Sequence, residues 1–465
     1  MSSRITDSPL YQHLWGTAEA REILGDEGRL TGWLGVIAAL ARAQAAAGVI
    51  PASAADLIST HARADLLDVA YAAEQTRQTS HSMLGLIRAL QAVLPEEARE
   101  YVYAGATVQD ITDTWTALAI RRVGVIVWRD LRQIEERLLD LAVAHRSTVM
   151  AGRTHGQPGS AVTFGWKAAS WADEIRRHLD RLRAGAPRWL VGQLGGGVGS
   201  LVFYGGHAMA VRARFCAELG LADPGISWLS ARDRGAEFAQ LLALICGTLA
   251  RIGGEVYELQ RPEIGELAEA SPAGTVGSIT MPHKQNPESS EHLDTLARLA
   301  RANAAVMVEA VPQQHERDGR GWKAEWVALP EVCLLATAAL QTSIDLLAAL
   351  AVDAGAMRNN LARHGGYPVS ERALALLAPR LGPRRAQERL QQALGEGIAA
   401  GLTAEQALVN AGLFSPGRAR QLAGQPDTGA CAAMTDLVVE RARTARAAEP
   451  REWPDRVAAA TEADG

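Results

Sequence analysis

The residues best equipped for chemistry sit in one short stretch, Gly277 to Pro287, GSITMPHKQNP. Its Gly-Ser, Met-Pro and Asn-Pro pairs each disfavour regular helix, so it reads as a loop between two long apolar helical patterns. Ser278 offers a hydroxyl, Lys284 a full positive charge and Asn286 a neutral amide. Lys284 is one of three lysines, with Lys167 and Lys323. A loop held between rigid helices can aim such groups at a small anion, and a plain linker has no need of them. AGRTHGQP, 151–158, carries His155 and Gln157 and interrupts a helical pattern. YVYAGATVQDITD, 101–113, places Gly105 and Thr107 where a break meets a long helix, with Asp110 and Asp113 suited to its first turn. A helix N-terminus presents free N–H groups and is a natural carboxylate site. His81 follows Thr79 and Ser80 ahead of an apolar helix; either hydroxyl serves as N-cap, and His81 is left as a candidate for substrate contact.

The elements that must position these groups are helical. Leu30 to Ala47 reads as a buried helix ending at Gly48, and Ser53 with Asp56 as a capping box for the next. Residues 114–145 form one long helix with a stripe at Val123, Val127, Leu131, Ile134, Leu138 and Leu141. Helix returns from Val162 to Leu182. Gly195, Gly196, Gly197 and Gly199 lack the partners of a phosphate loop and fit close helix packing, with Ser200 a weak binding candidate. Phe238, Leu242, Ile245, Leu249, Ile252, Val256 and Leu259 step by four and three alternately, a heptad seam that needs partner helices. Pro262 should end it. Further helices are expected from about Ser289 to Ala310 and Leu329 to Leu350. From Asp353 the helices shorten, and Thr403 with Gln406 makes a capping box. The expected organisation is all-α: an N-terminal helical domain over 1–107, a central five-helix bundle over 108–352, and a small helical domain over 353–465 whose last dozen residues fray.

Composition agrees with a globular helical protein. The 465 residues are 48% hydrophobic and 21% charged, too many for one core. A net charge of −5 gives no electrostatic reason to expect nucleic acid. The four cysteines lack metal-ligand spacing, and no metal or other cofactor is expected. The polar start has no signal core, and no run reaches the about 18–20 uninterrupted apolar residues of a membrane span, so the expected location is the cytoplasm.

Gly277, Ser278, Met281, Pro282, Lys284, Asn286 and Pro287 match the signature loop GSxxMPxKxNP, and on them the chain resembles the fumarase/aspartase superfamily. Its members break a C–N or C–O bond in a substituted succinate and usually release fumarate. The resemblance covers nearly the whole chain and implies a homotetramer built on a twenty-helix core, with active sites shared between subunits and a small dicarboxylate substrate. It implies Ser278 as base, acting as an alkoxide, His155 as general acid and Glu291 as its carboxylate partner. It implies substrate contacts from Lys284, Asn286, Gln157, His81 and Thr107. The segment 105–114 resembles the family's GATSQDxxDT, with Val108 where serine is usual, so one hydroxyl donor is missing. Arg232 and Arg317 lie in the most family-like arginine segments, SARDRGAEF and PQQHERDGRGWKAEW, which resemble the 3-carboxy-cis,cis-muconate cycloisomerase branch. Cycloisomerases typically lack the histidine and the glutamate. Adenylosuccinate lyases have both, but follow His-Glu-Arg-Asp with a Ser-His-Ser-Ser stretch that helps hold a phosphate; here Gly319, Arg320, Gly321 and Trp322 follow Asp318. A cycloisomerase-like body with lyase-type residues implies a small or unusual leaving group, and the nitrosuccinate lyase branch, which expels nitrite, has that character.

Overall fold

The computed structural model describes residues 3–270, 278–281 and 283–453. Gly277 and Pro282 of the signature loop, and most of the tail expected to fray, lie outside them.

The first long helix is α1, Asp26–Ala46, followed by Gly48 in the left-handed region (φ 76°). The expected capping box at Ser53 does not form. Pro51 is the N-cap of Ala52–His61, which puts Ser53 inside the first turn. Thr79 and Ser80 do not N-cap the helix that follows either. Thr79 ends the helix Val69–Thr79, its hydroxyl bonds back to the Gln75 carbonyl, and Ser80 turns the chain at φ 51°. The helix Leu84–Val93 is capped instead by His81, whose Nδ1 accepts from the Met83 and Leu84 N–H groups at 3.3 and 3.1 Å.

Five long helices make the centre. They are α2 (Val108–Ala144), α3 (Phe164–Trp189), α4 (Asp233–Gln260), α5 (Glu288–Glu309) and α6 (Gly319–Ala348). Each packs against at least two of the others. The heptad seam of α4 is at most 2% exposed at every position, as is the α2 stripe from Val123 to Leu138. At about 1.5–3 kcal/mol per buried large apolar side chain, this seam is a major contribution to bundle stability. α4 stops two residues before Pro262. α6 begins ten residues earlier than expected and carries Pro330 within it. By length and composition α4 and α6 could cross a membrane, yet 61% and 67% of their apolar windows are buried in the protein.

The stretch 149–163 departs from expectation. It is an antiparallel hairpin, β1 (Val149–Thr154) and β2 (Gln157–Thr163), rather than a simple break before a helix at Val162. Its two-residue turn is His155-Gly156, with φ of 53° and 74°. Such double left-handed turns match the twist of a hairpin, but they usually carry Asn-Gly or Asp-Gly, which hid this one.

Among the described residues the apolar side chains form three cores. One fills the bundle. A second joins α1 and the helices through 99 to Val108, Ile111 and the segment 201–216, so the N-terminal unit borrows from chain beyond 107. The third lies within 369–422, where Thr403 and Gln406 form the expected capping box. The last helix, α7 (Gly429–Ala448), leaves that third core and packs on α3 and α2. Val439, Ala442 and Trp453 belong to the bundle core, and Trp453 packs on Trp128. Arg176 fixes the return by pairing with Glu135 and Glu449, both buried.

Candidate active site

The sequence-derived candidates gather at opposite ends of the bundle. One end is built where α2, α4 and α6 begin. Thr107 is the N-cap of α2; its N–H donates to Asp110 Oδ2 at 2.9 Å. Asp110 is wholly buried, and its carboxylate also accepts from the Gly195 and Gly196 N–H groups at 2.8 and 2.9 Å and from Gln193 Nε2 at 3.2 Å. Burial pushes its carboxyl up to about 6 even though these donors oppose the shift. The glycine run is therefore a backbone partner of Asp110, and Ser200 lies exposed beside it. Gly105 needs to be glycine: its φ is 73°, and a Cβ would come within 2.3 Å of the Phe203 ring.

Arg317 completes this end. Its Nε donates to Gln109 Oε1 and its Nη1 to Thr107 Oγ1, both at 2.6 Å. Its guanidinium lies 5.8 Å from the centre of the Trp322 ring. Its Nη2 has no acceptor among the described residues, which leaves a donor for an anion beside the α2 N-terminus. Val108, where the family usually has serine, is buried in the second core. Tyr103, which sequence reasoning passed over, belongs to the same cluster. Its backbone is left-handed (φ 64°), and burial raises its phenol's pKa, with Asp110 adding to the rise and Arg317 and Thr107 opposing it. The positive φ of a bulky residue was the missing signal, and only coordinates carry it.

Arg232 differs from the expected substrate contact. It is 5% exposed, and its donors are taken up by Asp113 and Glu325. Burial works to lower its pKa, and the two carboxylates outweigh that and raise it. Its geometry is that of a tie between α2, α4 and α6, holding the ground on which Arg317 stands. His81 belongs to the N-terminal unit at this end. Its Nδ1 is occupied by the helix cap, so the proton of the neutral ring sits on Nε2.

The other end carries the remaining candidates. His155 and Gln157 flank the tip of the β1–β2 hairpin and are exposed. The hairpin is anchored by Arg153, whose Nη1 and Nη2 reach Glu266 Oε2 and Oε1 at 2.9 and 2.5 Å. Asn360 Nδ2 also donates to Glu266 Oε1 at 2.8 Å. Ser278 Oγ accepts the Met281 N–H at 3.0 Å, a contact that favours a negative oxygen there. Lys284 is exposed, and Asn286 Nδ2 donates to Glu288 Oε1 at 3.0 Å. Glu291 lies exposed in the first turn of α5. The α5 start is capped by Glu269, which accepts the Ser289 and Ser290 N–H groups at 3.1 and 2.9 Å.

The distance between the two ends follows from helix geometry. α2 has 37 residues, and at 1.5 Å per residue it separates Thr107 from the hairpin's root by about 55 Å. α4 runs the same way: Arg232 at its start meets Asp113 on α2, and Glu266 beyond its end meets Arg153 on β1. No contact within one chain joins Arg317 to Ser278 or His155 among the described residues. No cluster of three or more metal-ligating side chains occurs among those residues either.

A long-helix bundle with a serine–lysine–asparagine loop at one end and a threonine–arginine pair at the start of its long helix at the other has the layout of a lyase of the fumarase/aspartase type. The chain belongs to that superfamily: the profile of a family described as lyase matches residues 12–301. N-acetyl-S-(2-succino)cysteine lyase of Dickeya dadantii is 40% identical over 382 residues, 82% of this chain and 84% of that one. 3-Carboxy-cis,cis-muconate cycloisomerase of Pseudomonas aeruginosa is 41% identical over 383 residues, 82% and 83% of the two chains. Nitrosuccinate lyase of Streptomyces davaonensis is 38% identical over 393 residues, 81% and 82%. Among solved structures, the 3-carboxy-cis,cis-muconate lactonizing enzyme of Pseudomonas putida superposes with a TM-score of 0.86 at 33% identity, covering 94% of this chain and 99% of that one.

Proposed function

We propose that this lyase eliminates a small leaving group from a 2-substituted succinate to give fumarate, with nitrosuccinate as substrate and nitrite as leaving group. The observation that carries the reading is the retention of Ser278, its Oγ met by a backbone N–H, together with His155 and Glu291 in a cycloisomerase-like chain. Ser278, as alkoxide, takes the proton from C3. The electron pair flows onto the adjacent carboxylate, where Lys284 and Asn286 stabilise the added charge. As the C2–C3 double bond forms, the C2–N bond breaks and its electrons leave with nitrite. His155, oriented by Glu291, supplies a proton when the leaving group is basic. Nitrite is a weak base, so His155→Ala is milder than Ser278→Ala. The second carboxylate binds at Thr107, Gln109 and Arg317. The separation of about 55 Å along α2 supports completing each site between copies of the chain, in a homotetramer.

A second reading has a thiolate as leaving group, favoured by the 40% identity to N-acetyl-S-(2-succino)cysteine lyase. The test is fumarate release, followed by absorbance, from nitrosuccinate, S-(2-succino)cysteine and its N-acetyl form, adenylosuccinate, argininosuccinate, aspartate and malate, with nitrite and thiol assayed in parallel. Equal amounts of fumarate and nitrite from nitrosuccinate alone support the first reading. Fumarate with thiol keeps the mechanism and changes the substrate. Silence across the panel, with 3-carboxy-cis,cis-muconate lactonised instead, overturns both.

A further inference from the structure

A cavity of about 370 Å³ lies between α1, α2 and α6, behind the Arg232 tie. Four of its walls are tryptophans: Trp33 and Trp115 meet edge to face at 6.2 Å, and Trp322 and Trp326 at 4.7 Å. Two cation or N–H donors stand on one side. Arg29 and Trp33 are four residues apart on α1, hence on one face one turn apart. The Trp33 indole N–H is buried without an acceptor among the described residues, a state that native interiors rarely leave unmet. The Arg29 guanidinium lies 5.6 Å from the centre of the Trp115 ring. Its Nη2 donates to the Leu24 carbonyl at 3.0 Å and its Nη1 to Asp26 Oδ1 at 3.2 Å; Asp26 is fully exposed, so the Nη1 contact exchanges readily for a better one. The two carboxylates that also line the cavity, Asp113 and Glu325, are already committed to Arg232.

We propose that this cavity is a second binding site, for a flat aromatic carboxylate whose ring lies among the tryptophans and whose anionic end meets Arg29 and the Trp33 N–H. The volume is in the range of small-molecule sites, and stacking walls with donors on one side match that class of ligand. A single layer of side chains separates it from the anion subsite. Trp322 donates from Nε1 to Asp113 Oδ1 at 3.2 Å and lies under the Arg317 guanidinium. Asp113 Oδ2 accepts from Gln109 Nε2 at 3.4 Å, and Gln109 Oε1 holds Arg317. A ligand that moves Trp322 therefore moves Arg317, and it changes the KM for a carboxylate substrate more than it changes kcat.

The binding part does not depend on the proposed reaction, and it is read without turnover. 2-Naphthoate is titrated calorimetrically into the full-length protein and three variants. Arg29→Met replaces a partly exposed side chain with one of similar length, and it should weaken binding roughly tenfold by removing a charge-assisted hydrogen bond. Ala119→Phe fills the cavity and should abolish binding. Arg317→Met empties the catalytic anion subsite and should leave saturable binding in place. Loss in Arg317→Met with no effect of Arg29→Met would assign the molecule to the catalytic site and overturn the proposal, as would absence of saturable binding to the wild type. With a substrate that yields fumarate, 2-naphthoate should shift KM in the wild type and not in Arg29→Met; an unchanged KM in both removes the coupling.

Discussion

Two inactive variants should restore each other's activity when they assemble together. Ser278→Ala removes the proposed base at one end of the bundle, and Arg317→Met removes the proposed anion donor at the other. Each alone should cost roughly 10²–10³-fold or more in kcat/KM, the usual loss when a preorganised group at a developing charge is removed. α2 keeps Arg317 and its partner Thr107 about 55 Å from the hairpin's root, far beyond the reach of a four-carbon dicarboxylate. On the proposed shared site, each working site takes its serine from one copy and its arginine from another. In an equimolar mixture of randomly assembled chains, about one site in four receives an intact serine and an intact arginine together. The two proteins are unfolded, mixed, refolded and assayed for fumarate, with mixed assembly verified by native mass spectrometry. Recovery of roughly a quarter of wild-type activity is the expected result. Verified mixed oligomers with no more activity than the separate variants would refute the shared site, because sites within single chains cannot be repaired by mixing.

Three further outcomes follow from buried charge. Arg232→Met leaves Asp113 and Glu325 buried without their counter-charge and should lower unfolding free energy by about 3–5 kcal/mol in urea titration, whereas Arg232→Lys recovers only part; a loss under about 1 kcal/mol would contradict the tie. His178 is 3% exposed, with Nε2 on Thr248 Oγ1 at 2.8 Å, and burial, with Arg181 adding to it, depresses its pKa to about 4. The unfolded chain takes up that proton first, so stability is whole above pH 6.5 and falls as the pH drops toward 4. Between pH 6.5 and 4.5 the loss due to His178 is about 2–3 kcal/mol, and a His178→Gln variant should lose correspondingly less in acid denaturation. Glu266→Gln weakens the Arg153 anchor of the hairpin and, on the proposed mechanism in which basic leaving groups need His155, should lower kcat more for substrates that carry them than for nitrosuccinate; an equal effect on both would mark the anchor as structural only.

Much of the architecture was legible because helix periodicity is local. Phe238 to Leu259 announce a buried seam by spacing alone, and every one of these residues is buried. The stop at Pro262 and the box at Thr403 and Gln406 are local signals too. Misreadings arose where the deciding partner is remote or the turn is atypical. His155-Gly156 closes a hairpin without the usual turn residues. Thr79 and Ser80 look like caps, yet His81 takes the N–H groups. α7 reads as part of the last small domain until Arg176 and Trp128 are seen to hold its end on the bundle.

Residue type alone set the chemical inventory: a serine in a glycine-led loop, a lysine and an asparagine beside it, a histidine with a candidate glutamate, and a threonine at a helix start. These are properties of single side chains and short spacings, so a linear reading reaches them. Where each group stands was decided in three dimensions. Asp113, Arg232 and Glu325 lie 93 to 119 residues apart along their paired bonds, and no periodicity links them; their contact exists only once α2, α4 and α6 begin at the same end. That contact turns Arg232 from an apparent anion ligand into a support for its neighbours. The rigidity of a 37-residue helix likewise converts a modest step in sequence, from Thr107 to His155, into a separation of about 55 Å.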